Sequence, residues 1–173
     1  MVIGIGGVSN AGKSTLARNL KSAFNHARVV SLCQDDYAFP TSILPKIHGH
    51  ADWEVPQSID FTRYREEALR HIGTVPFVIL EGIFAFHDPE LNALMDLKLF
   101  LTLKKETFLE RKNKDIRWGK EPAWYVEHIW NSHLEYCHKH PMEQAIILPA
   151  DHGIDAMALA QKHICPKLVL KNT

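Results

Sequence analysis

Cysteine is scarce in this chain. Cys33, Cys137 and Cys165 are three among 173 residues, odd in number and far apart. They exclude a disulfide framework and fit reduced thiols, so a cytoplasmic location is expected. No apolar run approaches the roughly 20 residues that cross a bilayer. The opening MVIGIGG has no basic region of a secretory signal and runs straight into a strand pattern. No membrane partner is expected. Excess charge of either sign is also missing: Lys and Arg total 20, as do Asp and Glu. That balance argues against a general nucleic-acid binder. Eleven histidines are present, but no HExxH or paired-Cys spacing goes with them, and His48-Gly-His50 alone does not specify a metal site. Repeats, low-complexity tracts and evident linkers are absent. One domain over residues 1–173 is expected, long enough to bury a core.

Strand and helix patterns alternate along the chain. Val2–Ile5 reads as a strand, followed by a glycine loop and a helix from Ser14 to Phe24 with Leu16, Ala17, Leu20, Ala23 and Phe24 on one face. Arg28–Gln34 is the next strand. Residues 38–60 form an excursion with several prolines and two closely spaced histidines; a loop of that length in a compact domain is usually functional. Asp60 caps a helix bearing Phe61, Tyr64, Ala68 and Ile72. Val75–Leu80, Leu97–Leu103 and Ala145–Leu148 are β-rich apolar runs. Charged Lys105–Asp115, an amphipathic stretch beyond Pro122 and Asp155–Ile164 read as helices. The pattern predicts an α/β/α sandwich of three layers with a mainly parallel sheet. Ligands of such sheets bind beyond the carboxyl ends of the strands. Asp35, Asp36 and Glu81 should lie on that rim.

The segment from Gly7 to Ser14, GVSNAGKS, fits the phosphate-loop signature GxxxxGK[ST] between a strand and a helix. Its amides and the helix N-terminus suit phosphate oxygens. Gly7, Asn10, Ala11, Gly12, Lys13, Ser14 and Thr15 are the candidate ATP-binding residues. Lys13 reaches the β- and γ-phosphates, and Ser14 ligates Mg²⁺. Glu81 ends the run PFVILEG and is a second candidate for holding Mg²⁺. A switch GTPase fits poorly, because neither NKxD nor DxxG is present. In SLCQDDYAFP, strand alternation predicts that Asp35 and Asp36 face opposite ways and do different work.

Several segments together resemble the uridine kinase superfamily, and most closely the nicotinamide riboside kinases: GVSNAGKSTLARNL, SLCQDDYAFP, DWEVPQSID, FVILEGIFAF, LFLTL with FLERK, and HIWNSHLEY. The resemblance covers Val2 to about Ile164. It implies a P-loop NTPase-type fold with a small helical lid, ATP and Mg²⁺ as cofactors, and phosphoryl transfer to the 5′-hydroxyl of a small nucleoside. It assigns Asp35 as the carboxylate that accepts the hydroxyl proton, Glu81 as an acid orienting Mg²⁺ and nucleoside, Trp53 as the base-stacking aromatic and Glu54 as the grip on the ribose diol. The lid spans about 111–122, with Arg111 and Arg117 stabilising the transferring charge. An arginine that assists the ribose carboxylate falls on Lys112. The family's Asp at the diol position is Glu54 here, and Asp52 is an alternative grip. Trp53 between two acids favours the cationic ring of nicotinamide riboside. Uridine, cytidine, pantothenate or a sugar are alternative acceptors. An NTP-binding regulatory protein is the alternative of another class.

Overall fold

The apolar runs become the strands of a parallel sheet. The computed structural model describes residues 1–24, 26–117, 119–137 and 144–167. In chain order the strands are β1 (Val2–Gly7), β2 (Val29–Cys33), a short pair β3 (Lys46–Ile47) and β4 (His50–Ala51), β5 (Phe77–Glu81), β6 (Leu97–Thr102) and β7 (Ile146–Pro149). The helices are α1 (Lys13–Ala23), α2 (Phe61–His71), α3 (Pro89–Leu94), α4 (Lys105–Lys114), α5 (Ala123–Ser132) and α6 (Ala156–Leu159). The main sheet runs β2-β5-β1-β6-β7, and each neighbouring pair is parallel.

Alternation along the strands builds two apolar layers. Ile3, Ile5, Ile79 and Leu99 pack with Leu16 and Leu20 of α1, Phe108 of α4, Ile129 of α5 and Leu159 of α6. Val2, Val78, Leu80 and Phe100 meet Tyr64 and Ala68 of α2 and Leu91 of α3 on the other face. Helices on both faces leave every residue of β1 buried. Truncating Ile79 or Leu80 to alanine, each fully buried, costs about 2–5 kcal/mol from lost transfer energy and the cavity left behind. The expected P-loop-type α/β sandwich is what the chain forms.

The structure differs from the sequence reading in four places. Strand β2 stops at Cys33, and Gln34–Tyr37 makes a 3₁₀ turn. Gln34 and Tyr37 are buried while Asp35 and Asp36 are both exposed, so strand alternation does not separate the two acids. The excursion contains a hairpin, β3–β4, whose turn residues His48 and Gly49 have φ of 49° and 81°. Positive φ at both positions is the backbone of a type I′ turn. Helix α3 was not anticipated, although Asp88 caps it through the amides of Glu90 and Leu91 (both 3.0 Å) and Pro89 occupies its first turn. Finally, the stretch beyond Pro122 is α-helical only to Ser132 and continues as a π turn over His133–Cys137. No helix among the described residues is long and apolar enough to cross a membrane.

Candidate active site

The phosphate loop joins β1 to α1. Gly12, just before the helix, has φ of 93°, where a side chain is strained. Asn10 is also left-handed, φ 61°, a conformation asparagine tolerates better than most residues. Lys13 is buried and its Nζ donates to the carbonyl of Val8 at 3.0 Å. This bond curls the loop and keeps the cation at its centre. Ser14 and Thr15 are exposed at the helix N-terminus.

The ends of β2 and β5 are locked together. Cys33 and Glu81 are partners in the parallel register. Gln34, fully buried, donates from Nε2 to the carbonyl of Phe84 (2.9 Å) and accepts from its amide at Oε1 (3.0 Å). A Cβ on Gly82 would meet that Oε1 at 2.0 Å, so only glycine lets the loop after Glu81 pass beneath the amide. Glu81 is 3% exposed. Burial, with added push from the Glu81 and Asp35 carboxylates, raises the Cys33 thiol to about 12. Cys33 is therefore an inert apolar group, and Asp35 and Glu81 lie close to it.

Helix α5 holds the middle of the excursion. The hydroxyl of Tyr125 accepts from the amide of Trp53 (3.1 Å) and donates to the carbonyl of Ala51 (3.3 Å). The Trp53 indole is 38% exposed. Glu54 lies between cations and acids: burial pushes its carboxyl up to about 7, against the pull of Lys112 and Lys13 and with the push of Glu121 and Asp52. Lys112 pairs with Glu121 at 3.1 Å, tying the end of α4 to the start of α5. Asp52, the alternative grip on a diol, is buried and bonded to the amide of Glu54 (3.0 Å) and to His128 (2.9 Å).

Residues 115–122 connect α4 to α5, and their start is docked on the phosphate loop. Asn10 Nδ2 donates to Asp115 Oδ2 at 3.0 Å. Asp115 also takes the Arg117 guanidinium in a fork, 2.8 Å from Nε and 2.6 Å from Nη2. This fork holds the Asp115 carboxyl well below the usual carboxylate range. Arg117 gains basicity chiefly from Asp115, with a smaller contribution from the field of Asp35. Trp118 lies outside the described residues. Arg111 is placed differently from the expectation that it faces the transferring phosphoryl group. It donates to the carbonyls of Asn10 (3.2 Å), Ala150 (2.8 Å) and Asp151 (2.8 Å). The reason is position on α4: the side chain leaves toward the loop after β7 and bridges it to the phosphate loop.

Two cavities share the phosphate loop. A cleft of ≈ 320 Å³ is bounded by Asn10, Ala11, Gly12 and Thr15 with Arg111, and by Ala150, Gly153 and Ile154 beyond β7. A narrow cavity of ≈ 10 Å³ is bounded by Val8 and Ser9, Glu54, Ile83 and Phe84, and by Ile129, Ser132 and His133 of α5 and its π turn. The structure thus brings together Lys13, Glu54 and Lys112, and separately Asp35, Cys33, Glu81 and Arg117. It places Trp53 outside the lining of both cavities. Sequence reasoning missed Gln34, Glu121 and the cleft role of Asn10 toward Asp115. For the first, the signal in the sequence was a polar Gln34 directly after the apolar run of β2.

Three-histidine or mixed metal clusters are absent among the described residues. A Mg²⁺ site of the phosphate-loop kind needs few protein donors, and the exposed Ser14 hydroxyl and the buried Glu81 carboxylate are the donor types it uses.

Comparison with solved structures defines the class first. The fold matches a possible uridine kinase from Bacillus stearothermophilus with a TM-score of 0.59 and 17% identity, over 86% of this chain and 88% of that one. It matches shikimate kinase from Bacteroides thetaiotaomicron at 0.61 and 20% identity, over 98% of each chain. The architecture is an α/β P-loop fold. No family model matches the chain. Among curated proteins, nicotinamide riboside kinase 1 of Rattus norvegicus is 28% identical over 152 residues, 78% of this chain and 77% of that protein. Uridine kinase of Chlamydia pneumoniae is 28% identical over 176 residues, 86% of this chain and 77% of that protein. Over most of its length the chain is therefore similar to nicotinamide riboside kinases and to uridine kinases.

Proposed function

We propose that residues 1–173 act as one kinase domain that transfers the γ-phosphoryl group of ATP to the 5′-hydroxyl of a small ribonucleoside, with nicotinamide riboside as the preferred acceptor. The observation that carries this reading is the pair of cavities meeting at the phosphate loop. A donor cleft and an acceptor cavity bearing the carboxylate of Glu54, bounded by successive stretches of one phosphate loop, are what direct transfer between two bound molecules requires.

In this reading the acceptor hydroxyl attacks the terminal phosphorus as the bond to the β–γ bridging oxygen breaks. ADP leaves with the bond electrons, and Asp35 takes the hydroxyl proton. The transition state is loose, so positioning and electrostatics provide most of the rate. Lys13 and Arg117 face the charge that spreads over the equatorial oxygens. Mg²⁺, when bound by Ser14 and Glu81, neutralises phosphate charge. Arg111 serves the nucleotide by shaping the cleft through three carbonyls. Glu54 grips the ribose diol, since one carboxylate accepts from two vicinal hydroxyls, and Lys112 assists by favouring its ionised form. Trp53 stacks on the base once the excursion has moved to admit it; at ≈ 10 Å³ the cavity holds about one water.

Nicotinamide riboside is favoured over uridine because the part-exposed Trp53 indole, flanked in the chain by Asp52 and Glu54, offers a pyridinium cation an aromatic face beside carboxylates. Uridine is the second reading, supported by relatives that bear that name. The test is turnover with ATP and Mg²⁺ against nicotinamide riboside, uridine, cytidine, pantothenate and small sugars, with products read by mass spectrometry. A phosphorylated riboside is the expected result. Nucleotide binding with no acceptor turned over defeats the kinase reading and leaves a regulatory NTP-binding protein.

A further inference from the structure

Tyr125 and His128 sit one turn apart on α5 and both reach into the excursion just ahead of Glu54. We propose that His128 is a positioning residue for the acceptor site: acting through Asp52, it fixes the backbone of Glu54 at the wall of the narrow cavity. This rests on the kinase reading above and adds to it a residue on a different element.

The geometry is a relay through a single oxygen. Asp52 Oδ1 accepts from His128 Nε2 at 2.9 Å and from the amide of Glu54 at 3.0 Å. A carboxylate only accepts, so the Nε2 of His128 carries the proton in this contact. Asp52 is 6% exposed, which leaves it little water to replace a lost donor. Tyr125 fixes the two flanking peptide groups, through the carbonyl of Ala51 and the amide of Trp53. Ala51, Asp52, Trp53 and the amide of Glu54 are therefore all held from one face of α5. The same helix continues to Ser132, which lines the cavity together with Glu54 and lies 3.5 Å from His128 Nε2.

Position matters here because Glu54 has a long side chain with several free torsions. Its charged neighbours Lys112, Glu121 and Lys13 act on the carboxyl and not on the backbone. A diol-binding carboxylate must present two oxygens to two hydroxyls at once, and displacement of about 1 Å is enough to lose that match. Without His128 the buried Asp52 loses a donor and turns to find water. The amide of Glu54 then loses its acceptor, and Glu54 shifts along the wall. Phosphate groups bound at the loop do not feel this change.

Steady-state kinetics with ATP, Mg²⁺ and nicotinamide riboside, or whichever riboside the unmodified chain phosphorylates, test the inference on His128→Leu, His128→Gln and Tyr125→Phe. His128→Leu raises the acceptor KM about tenfold or more, while the ATP KM stays within about twofold and kcat within about threefold. His128→Gln, whose amide N–H donates to Asp52, recovers most of the loss. Tyr125→Phe, which frees only Trp53 N and Ala51 O, raises the acceptor KM severalfold and provides the readout if His128→Leu does not fold. An unchanged acceptor KM in a folded variant overturns the proposal, as does a parallel rise in both KM values or a Gln variant as damaged as Leu. If the unmodified chain phosphorylates no riboside, the kinase reading falls and this inference with it. Turnover with an insensitive acceptor KM defeats this inference alone.

Discussion

Gln34 and Phe84, 50 positions apart, exchange two hydrogen bonds, side-chain amide against backbone peptide, at 2.9 and 3.0 Å. The pair closes the gap between the turn that carries Asp35 and the loop that follows Glu81. Gln34→Ala leaves a buried donor and a buried acceptor on Phe84 unpaired. The expected loss is about 2–4 kcal/mol of stability, from a desolvation penalty on each group. Chemical denaturation measures it. A loss under about 1 kcal/mol shows that water replaces the amide.

Asp35 and Asp36 share one exposed turn, so the claim that only the first takes part in chemistry has to be tested by substitution. Asp35→Asn lowers kcat about 10²–10⁴-fold, the usual worth of a positioned base, with ATP affinity unchanged. Asp36→Asn leaves kcat within about twofold by the same reasoning. Parallel kinetics and ATP titration check both, and a reversed pattern reassigns the base.

Glu54 gives a pH signature. Its carboxyl is raised in the folded chain to about 7 by burial, above the ordinary glutamate value near 4.3. The native state therefore holds a proton that the unfolded chain releases, and stability falls as pH rises from about 4 through about 7. Glu54→Gln removes the effect. The variant is more stable than the parent at pH 8 by about 1–3 kcal/mol, and the advantage disappears below pH ~4. Melting curves across pH test this. The acceptor KM moves the other way, falling as pH rises through about 7, because the ionised carboxylate is the stronger acceptor for diol hydroxyls.

Arg111 and Arg117 separate by partner. The Arg117 side chain is 71% exposed and held by Asp115, so Arg117→Ala costs under about 1 kcal/mol of stability but lowers kcat about 10²-fold or more if it meets the transition-state charge. Arg111→Ala strips three carbonyls of a donor at the donor cleft. It raises the ATP KM by about tenfold and leaves the acceptor KM unchanged. Loss of kcat alone in Arg111→Ala, with ATP binding intact, returns it to the phosphoryl group.

The phosphate loop was legible because its signature fixes residue types and their placement between strand and helix at once. The parallel sheet was legible because β1 and β5 are buried along their whole length and β6 at four of its six positions, so they read as apolar runs interrupted only by Lys98 and by the terminal Glu81 and Thr102. Asp60 announced its helix and accepts from Arg63 N at 3.0 Å as a cap should. Other features depend on partners remote in sequence. The 3₁₀ turn at Gln34 is set by a peptide group in another loop. The direction of Arg111 is set by carbonyls at Ala150 and Asp151, about 40 residues on, and a charged helix does not announce which way its arginines leave. Helix α3 is the exception, since Asp88-Pro89 is a start signal that spacing alone would have supported.

The strand order has a consequence for how the chain is made. β1 precedes both of its sheet neighbours in the chain and lies between β5 and β6. Its hydrogen-bonding edges stay empty until residues 77–102 have been synthesised, so the phosphate loop at its end is made well before the strands that hold it. During that interval, six consecutive residues of apolar or glycine backbone wait for neighbours, a template for pairing with another chain. Expression at lowered temperature, which slows misassociation relative to closure of the sheet, should raise the yield of folded protein more than added nucleotide does.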